Sequence, residues 1–199
     1  DLRVLEPAYI STVDSGNLCG HLIAVRRACL EMQADDELSA RLRAIADRAY
    51  DFAMEMDFRF LFDERRKLFS IGYQQQSHSR DGSYYDLLAS EARLASFVAI
   101  AKNDVPVEHW FRLGRTLTHA DGATALVSWS GSMFEYLMPV LVMQSFPFTV
   151  LDQSYRGSVK RQIAYADERD VPWGISESAY NLRDRHLTYQ YRAFGIPNL

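Results

Sequence analysis

An all-α fold of the (α/α) toroid type is predicted from three features of the sequence. Apolar residues recur with a helical period over much of the 199 residues, apolar and amphipathic segments alternate, and polar residues cluster where the apolar segments begin. Inner helices of a toroid are buried on all sides, whereas outer helices expose one face. A plain helical bundle is the competing architecture.

The first half of the chain is predicted to contain two helices and a small β insertion. Asp14-Ser15-Gly16-Asn17 supplies N-cap residues before a helix over Leu18 to Met32, and a second helix is predicted over Leu38 to Met56, packed against the first. Phe58 to Tyr73 flanks a charged turn with short apolar runs, which predicts a β-hairpin near residues 58–73. The polar run Gln74 to Ser83 has no period and is predicted to be a loop.

The second half is predicted to be helical. Its four segments are an inner apolar helix over Tyr84 to Ala101, a short amphipathic helix over Pro106 to Leu117, an interrupted apolar helix over Thr124 to Phe146 and an amphipathic helix over Thr149 to Arg169. We expect residues 1–199 to form a single domain that is a fragment of a larger multidomain protein.

Composition favours a neutral, polar ligand. The net charge of −4 and the scattered basic residues argue against nucleic acid as a partner, and no apolar run is long enough to span a membrane. Cys19 and Cys29 would lie about 15 Å apart on one helix, too far for a disulfide, which indicates a reducing compartment. Aromatic residues make up 13% of the chain, and flat rings stack on the apolar faces of sugars.

The sequence lacks the motifs of metal sites and of several enzyme classes. The five histidines are dispersed without ligand spacing, so no metal site is predicted. The sequence has no glycine-rich phosphate loop, dinucleotide fingerprint or nucleophile elbow, which argues against kinases, dehydrogenases and triad hydrolases. We therefore expect no cofactor.

Three glutamates stand among aromatic and small hydroxyl residues, as glycoside chemistry requires. Glu91, Glu135 and Glu177 each follow such residues at a predicted helix start or break. Cleavage of a glycosidic bond needs a proton donor and a second carboxylate that attacks carbon or activates water. The competing interpretation is that each glutamate only complements a helix dipole.

Further residues are candidates for substrate binding. Planar polar groups that suit sugar hydroxyls, and rings that suit stacking, are Asp14, Asn17, Arg80, Asp81, Tyr85, Asp86, Trp129, Trp173 and Tyr180. The simpler alternatives are that Asp14 and Asn17 are N-caps and that Arg80 and Asp81 form a surface pair.

The sequence resembles the central glycoamylase-like region of bacterial cyclic β-1,2-glucan synthases. The matching segments run over nearly the whole chain and include Tyr9 to Leu18, Phe60 to Asp63, Lys67 to Tyr73, Ser83 to Leu94, His109 to Arg115, Ser128 to Gly131, Phe134 to Pro139 and Trp173 to Asn181.

The resemblance implies a place and a reaction for this segment. Such proteins are large inner-membrane enzymes with a glycosyltransferase module, this middle module on the cytoplasmic side, and a phosphorylase-like module. The middle module resembles an (α/α)6 barrel that closes β-1,2-glucan into rings by retaining transglycosylation. The segments predicted here account for about half of the twelve helices of such a barrel, so we expect a partial (α/α)6 barrel. Glu177 would be the acid/base and Glu91 the nucleophile, with Glu135 in reserve.

Two other functions remain open from the sequence. The same site would hydrolyse β-1,2-glucan if water intercepted the intermediate, and a non-catalytic glucan-binding scaffold would need the carboxylates only as caps and hydrogen-bond partners. The expected partners are β-1,2-glucan and the other modules of the polypeptide. A partial barrel would expose inner helices, so the fragment itself is expected to be inactive or to associate with itself.

Overall fold

A computed structural model describes residues 7–33, 35–120, 122–192 and 194–199. These residues form two compact units. Unit 1 contains the described residues up to Asp86 together with Ala92–Leu113, and unit 2 contains Leu87–Glu91 together with Gly114–Leu199.

The predicted all-α toroid is wrong for the described residues. These residues are about 45% helical and 16% strand, with six α-helices and four small sheets, and they do not form an α/α barrel. The apolar periodicity that suggested inner helices lies partly in short strands and irregular segments, because contacts with distant residues override local preference.

Two long helices lie in unit 1. Helix α1 spans Thr12–Glu31 and α2 spans Asp36–Glu55, and they pack against each other. The prediction for α2 is confirmed, with Asp35 as its N-cap. Helix α1 begins earlier than predicted because Ser11 is the N-cap, and its Oγ accepts a hydrogen bond of 3.2 Å from the Asp14 amide.

Two three-stranded sheets complete the N-terminal part of unit 1. The strands are β1 (Tyr9–Ser11), β2 (Phe62–Asp63), β3 (Leu68–Ser70), β4 (Gly72–Gln74), β5 (Ser79–Arg80) and β6 (Tyr84–Tyr85). The predicted hairpin is confirmed in β2 and β3, which pair antiparallel with Phe62 opposite Phe69. The predicted loop after Gln74 is wrong in part, because β5 returns to pair with β4.

The predicted helix over Tyr84 to Ala101 is wrong in its first half. Tyr84 and Tyr85 form β6 and pair with β3, because aromatic residues suit a half-buried strand. Helix α3 spans only Arg93–Ala101. Helix α4, Glu108–Arg112, is shorter than the predicted segment that runs to Leu117.

Unit 2 combines two hairpins with one long helix. The hairpins are β7 (Leu117–Ala120) with β8 (Ala123–Leu126), and β9 (Ser178–Arg183) with β10 (Tyr189–Arg192). Helix α6 spans Val150–Asp167 with Thr149 as N-cap, which confirms that prediction.

The interrupted helix predicted over Thr124 to Phe146 is wrong. Only α5, Met133–Leu137, and a following 3-10 turn over Met138–Leu141 are helical there. Gly131 explains the break, since its φ of +75° is left-handed and a Cβ there would lie 2.3 Å from the Ile196 carbonyl oxygen. Among the described helices, none combines the length and apolar character needed to cross a membrane.

Candidate active site

All three predicted catalytic carboxylates lie in unit 2. Glu91 ends the short Leu87–Glu91 segment, which is held by a bridge between Leu87 and Gly114 and by a 3.0 Å bond from the Leu88 amide to the Gly114 carbonyl. Glu135 lies in the first turn of α5, and Glu177 directly precedes β9. Electrostatic coupling links Glu91 to both other carboxylates, so the three groups share one region.

The Glu135 carboxylate is hydrogen-bonded to the serine loop, defined here as residues 128–132. Its buried carboxylate accepts bonds from the amides of Trp129 at 2.8 Å, Ser130 at 3.0 Å and Ser132 at 2.8 Å, and from three serine hydroxyls. Glu135 also closes a capping box with Ser132. Its oxygens therefore organise the loop and are poorly placed to attack a substrate.

The surroundings of Glu91 differ from those of Glu135. Its carboxyl is partly buried, and it accepts a long hydrogen bond of 3.3 Å from the Ser90 hydroxyl. Burial is the main cause that raises the pKa of Glu91 to about 7, and the charges of Glu135 and Glu177 raise it further. A large share of Glu91 therefore carries a proton near neutral pH, as a general acid must.

Glu177 accepts a hydrogen bond from the Tyr191 hydroxyl on β10. That bond is the main cause that raises the pKa of Tyr191 to about 12, with smaller contributions from burial and from the charges of Glu177 and Glu91. A phenol that stays protonated remains a hydrogen-bond donor, so Tyr191 helps to orient the Glu177 carboxylate.

The segment that carries Glu177 is anchored to the start of α5. The Met133 amide donates to the Ile175 carbonyl at 3.1 Å, and the Phe134 amide donates to the Ser176 hydroxyl at 3.0 Å. Free amides at a helix start need such acceptors, so the helix end and the segment fix each other. These bonds join the segment that leads to Glu177 to the helix that carries Glu135.

The predicted stacking residues of unit 2 remain open to solvent where they are described. Trp129 is 54% exposed and Trp173 is 55% exposed. Tyr180 lies in β9, but its side chain is outside the described part of the structure. Exposed rings next to a carboxylate site are available for a sugar face.

The other predicted binding residues lie in unit 1. Asp14 is exposed in the first turn of α1, and Asn17 lies one turn later, so neither is the N-cap. The Asn17 Oδ1 atom is buried and has no hydrogen-bond partner among the described residues. Tyr85 lies in β6 and Asp86 is exposed after it.

Arg80 and Asp81 make separate contacts within unit 1. Arg80 donates to the Phe62 carbonyl, and the Asp81 carboxylate accepts a bond of 3.2 Å from the Ser83 amide. The interpretation as a surface ion pair finds no support in these bonds.

Tyr191 is the site residue that the sequence reasoning missed. It lies on the second strand of the C-terminal hairpin, and Tyr189 and Tyr191 alternate as strand residues do. That alternation after the turn at Asp184 could have predicted the hairpin, but not that Tyr191 would reach Glu177. Among the described residues, no group of His, Cys, Asp and Glu is arranged to hold a metal ion.

Comparison with known proteins identifies the family of this chain and a relative. Residues 83–198 match the family model described as putative glucoamylase, and all three carboxylates fall within that range. The chain is 48% identical over 198 residues to the cyclic beta-(1,2)-glucan synthase NdvB of Rhizobium meliloti (strain 1021). The match covers 96% of this chain but only 7% of that relative.

Proposed function

Because the chain belongs to the putative glucoamylase family, as its motifs predicted, we propose that it is the carbohydrate-active module of a glucan-synthesising enzyme. In this proposal the module cleaves and re-joins β-1,2-glucan chains by retaining transglycosylation, which closes the glucan into a ring. The similarity to a named cyclic β-(1,2)-glucan synthase supports the choice of substrate.

The main support is the unlike pair formed by Glu91 and Glu177. Retaining enzymes need one carboxyl group that holds a proton and one carboxylate that attacks carbon. The pKa of Glu91 is raised to about 7, whereas the Glu177 carboxylate is held by a hydrogen bond from the Tyr191 hydroxyl. A carboxyl group that keeps its proton, beside a second carboxylate held in place by a donor, suits the roles of acid and nucleophile.

These surroundings support Glu91 as acid/base and Glu177 as nucleophile, the reverse of the assignment inferred from the motifs. Glu91 donates its proton to the glycosidic oxygen while a Glu177 oxygen bonds to the anomeric carbon and the carbon–oxygen bond breaks. Glu91, now a carboxylate, then takes the proton of a glucan hydroxyl. That oxygen attacks the anomeric carbon, and the bond to Glu177 breaks.

The proton of Glu91 is coupled to the state of Glu177. Formation of the ester removes the negative charge of Glu177, which is one of the groups that raise the pKa of Glu91. The pKa of Glu91 therefore falls in the intermediate, which helps the residue to act as a base in the second step. In this scheme Glu135 positions the serine loop and takes no part in bond making.

The substrate-binding assignments remain proposals with different support. The exposure of Trp129 and Trp173 is consistent with stacking on glucose rings, and the unpartnered Asn17 Oδ1 is available to accept a bond from a sugar hydroxyl. Asp14, Arg80, Asp81, Tyr85, Asp86 and Tyr180 remain predictions from the sequence.

The setting of the module is also proposed. The chain spans 7% of the length of its relative, which supports other modules of one polypeptide as its partners. We place it on the cytoplasmic face of a bacterial inner membrane, and we expect the isolated segment to associate with itself through exposed apolar side chains, such as Leu18 and Phe52.

The test is mass spectrometry of the products that the full-length protein forms from linear β-1,2-glucan. Rings weigh one water less than linear chains of equal length, and their appearance is the expected result. Glu177→Gln and Glu91→Gln should each lower ring formation by about a thousandfold or more, since each removes one half of the chemistry.

Other products would change the conclusion. Shorter linear chains alone would mean hydrolysis by the same carboxylates, and unchanged glucan from a protein that binds it would mean a scaffold. A Glu177→Gln variant with the wild-type rate would remove that residue from the mechanism.

A further inference from the structure

Helix α6 turns an unusually polar face toward the interior of unit 2. Its buried residues include Ser154, Ser158, Arg161 and Gln162, with Gln162 fully buried. A glutamine in such a place is costly unless its amide is satisfied, so its bonds identify what it holds.

The Gln162 amide joins the serine loop to the segment before Glu177. Its Oε1 accepts a bond of 2.7 Å from the Ile175 amide, and its Nε2 donates to the Ile175 carbonyl at 2.9 Å. The same nitrogen donates to the Gly131 carbonyl at 3.1 Å. Both protons of the side-chain amide are therefore used, one on each segment.

We propose that Gln162 is a positioning residue that fixes Glu177 relative to Glu91 and the serine loop. Gln162 bonds both the amide and the carbonyl of Ile175, which lies two residues before Glu177. It also bonds Gly131 in the serine loop, which Glu135 organises. This inference rests on the proposed function, because the place of Glu177 affects catalysis only if Glu177 reacts.

The bonds around Ile175 leave Gln162 with a role that its neighbours cannot replace. The Met133 amide also donates to the Ile175 carbonyl, but among the described residues Gln162 provides the acceptor for the Ile175 amide. Loss of the side-chain amide would leave that partly buried donor and the buried Gly131 carbonyl with fewer partners. The segment would move until water or another group satisfied them, and Glu177 would move with it.

Titration of Glu91 measures this displacement without relying on turnover. The charged or hydrogen-bonding groups that act on Glu91 are Glu135, Glu177 and Ser90, and Tyr191 interacts with it through its own hydroxyl. A Glu177 that moves away raises the pKa of Glu91 less. The pH midpoint of the Glu91 titration should therefore fall. It can be followed by the carbon-13 chemical shifts of the glutamate carboxyls in the full chain.

The experiment is a double-mutant cycle between Gln162→Met and Glu177→Gln. Each single variant should lower the Glu91 midpoint, and Gln162→Met should cause no further shift in the Glu177→Gln background. Gln153→Met is the matched control, because Gln153 is exposed on the same helix, and it should leave the midpoint unchanged. A Gln162→Met shift that persists undiminished without Glu177, or no shift at all, would overturn the proposal.

Activity gives a second readout. In the full-length protein, Gln162→Met should lower kcat by about tenfold or more while KM stays within about threefold, because misplacement of a reacting group affects the transition state most. If Gln162→Met does not fold, Ser176→Ala removes one anchor of the same segment and should give a smaller shift in the same direction. A protein inactive on glucan would refute the proposed function, whereas the titration cycle would still decide the role of Gln162.

Discussion

Glu91 and Glu177 differ in the partners that their carboxyl groups find. Glu91 is partly buried near two other carboxylates, and burial is the main cause that raises its pKa to about 7. Glu177 accepts a bond from Tyr191, a phenol whose pKa is raised to about 12 mainly by that same bond. Identical side chains thus acquire different roles from their surroundings.

Tyr191→Phe removes the hydroxyl that donates to Glu177. We expect kcat for ring formation to fall by about tenfold to a hundredfold, since a hydrogen bond to a charged group contributes about 1.5–3 kcal/mol. The rate should be measured on linear β-1,2-glucan with the full-length protein.

The control for this variant lies on the same strand. Tyr189→Phe also removes a hydroxyl, one that accepts from Arg183, and it should leave kcat within about twofold of the wild type. Equal losses from the two variants would show that Tyr191 acts through the hairpin and not through Glu177.

Elements of this chain pack closely where glycine permits it. Helices α1 and α3 meet at Gly16, where a Cβ would lie 2.4 Å from the Cβ of Ala95. Glycine is a poor helix former, so its presence inside α1 has a cost that close packing offsets. The contact holds α3, which follows the Glu91 segment in sequence.

Gly16→Ala should destabilise the protein even though alanine favours helix. The clash should cost about 1–3 kcal/mol, more than the gain of about 1 kcal/mol in helix propensity. Urea unfolding followed by circular dichroism measures the free energy of unfolding.

Gly82→Ala is the matched control, because nothing lies within 4 Å of a Cβ at that position. Its effect should stay within about 0.5 kcal/mol. A Gly16→Ala variant as stable as the wild type would mean that α1 and α3 can separate without cost.

The two units should respond to pH in opposite directions. In unit 1, burial lowers the pKa of His109, which lies between the Ser96 hydroxyl and the Lys67 carbonyl. Neutral His109 therefore stabilises unit 1 above its unfolded pKa of about 6.5, and this stability is lost as pH falls below that value. In unit 2, the raised pKa of Glu91 gives the reverse dependence.

For Glu91 the stability is fully present below its unfolded pKa of 4.5 and is lost as pH rises through about 7. The loss amounts to at most about 3 kcal/mol. Hydrogen exchange, corrected for intrinsic rates, should show unit 1 less protected at about pH 5 and unit 2 less protected at about pH 8.

Two variants assign these effects to single groups. Glu91→Gln should abolish the loss of protection in unit 2 at high pH, whereas His186→Gln, an exposed histidine, should leave both units unchanged. The same pH dependence in both units, or an unchanged unit 2 in Glu91→Gln, would contradict this account.

Local signals in the sequence were sufficient for several features. Helices α2 and α6 have polar N-caps and a helical apolar period, so residues within a few positions of each other specify them. The hairpin of β2 and β3 follows from a charged turn between short apolar runs. The glutamates Glu91, Glu135 and Glu177 were found because their neighbouring residue types match sugar chemistry.

Other features depend on contacts between residues far apart in the chain. Tyr84 and Tyr85 looked helical but pair with β3, and the toroid fails because such pairing replaces predicted helix. Three features of the site require the folded chain. They are the hydrogen bonds from serine hydroxyls to Glu135, the bond from Tyr191 to Glu177 and the partial burial of Glu91. Sequence identifies which carboxyl groups are present, but protonation depends on burial and neighbouring charge, which exist only after folding.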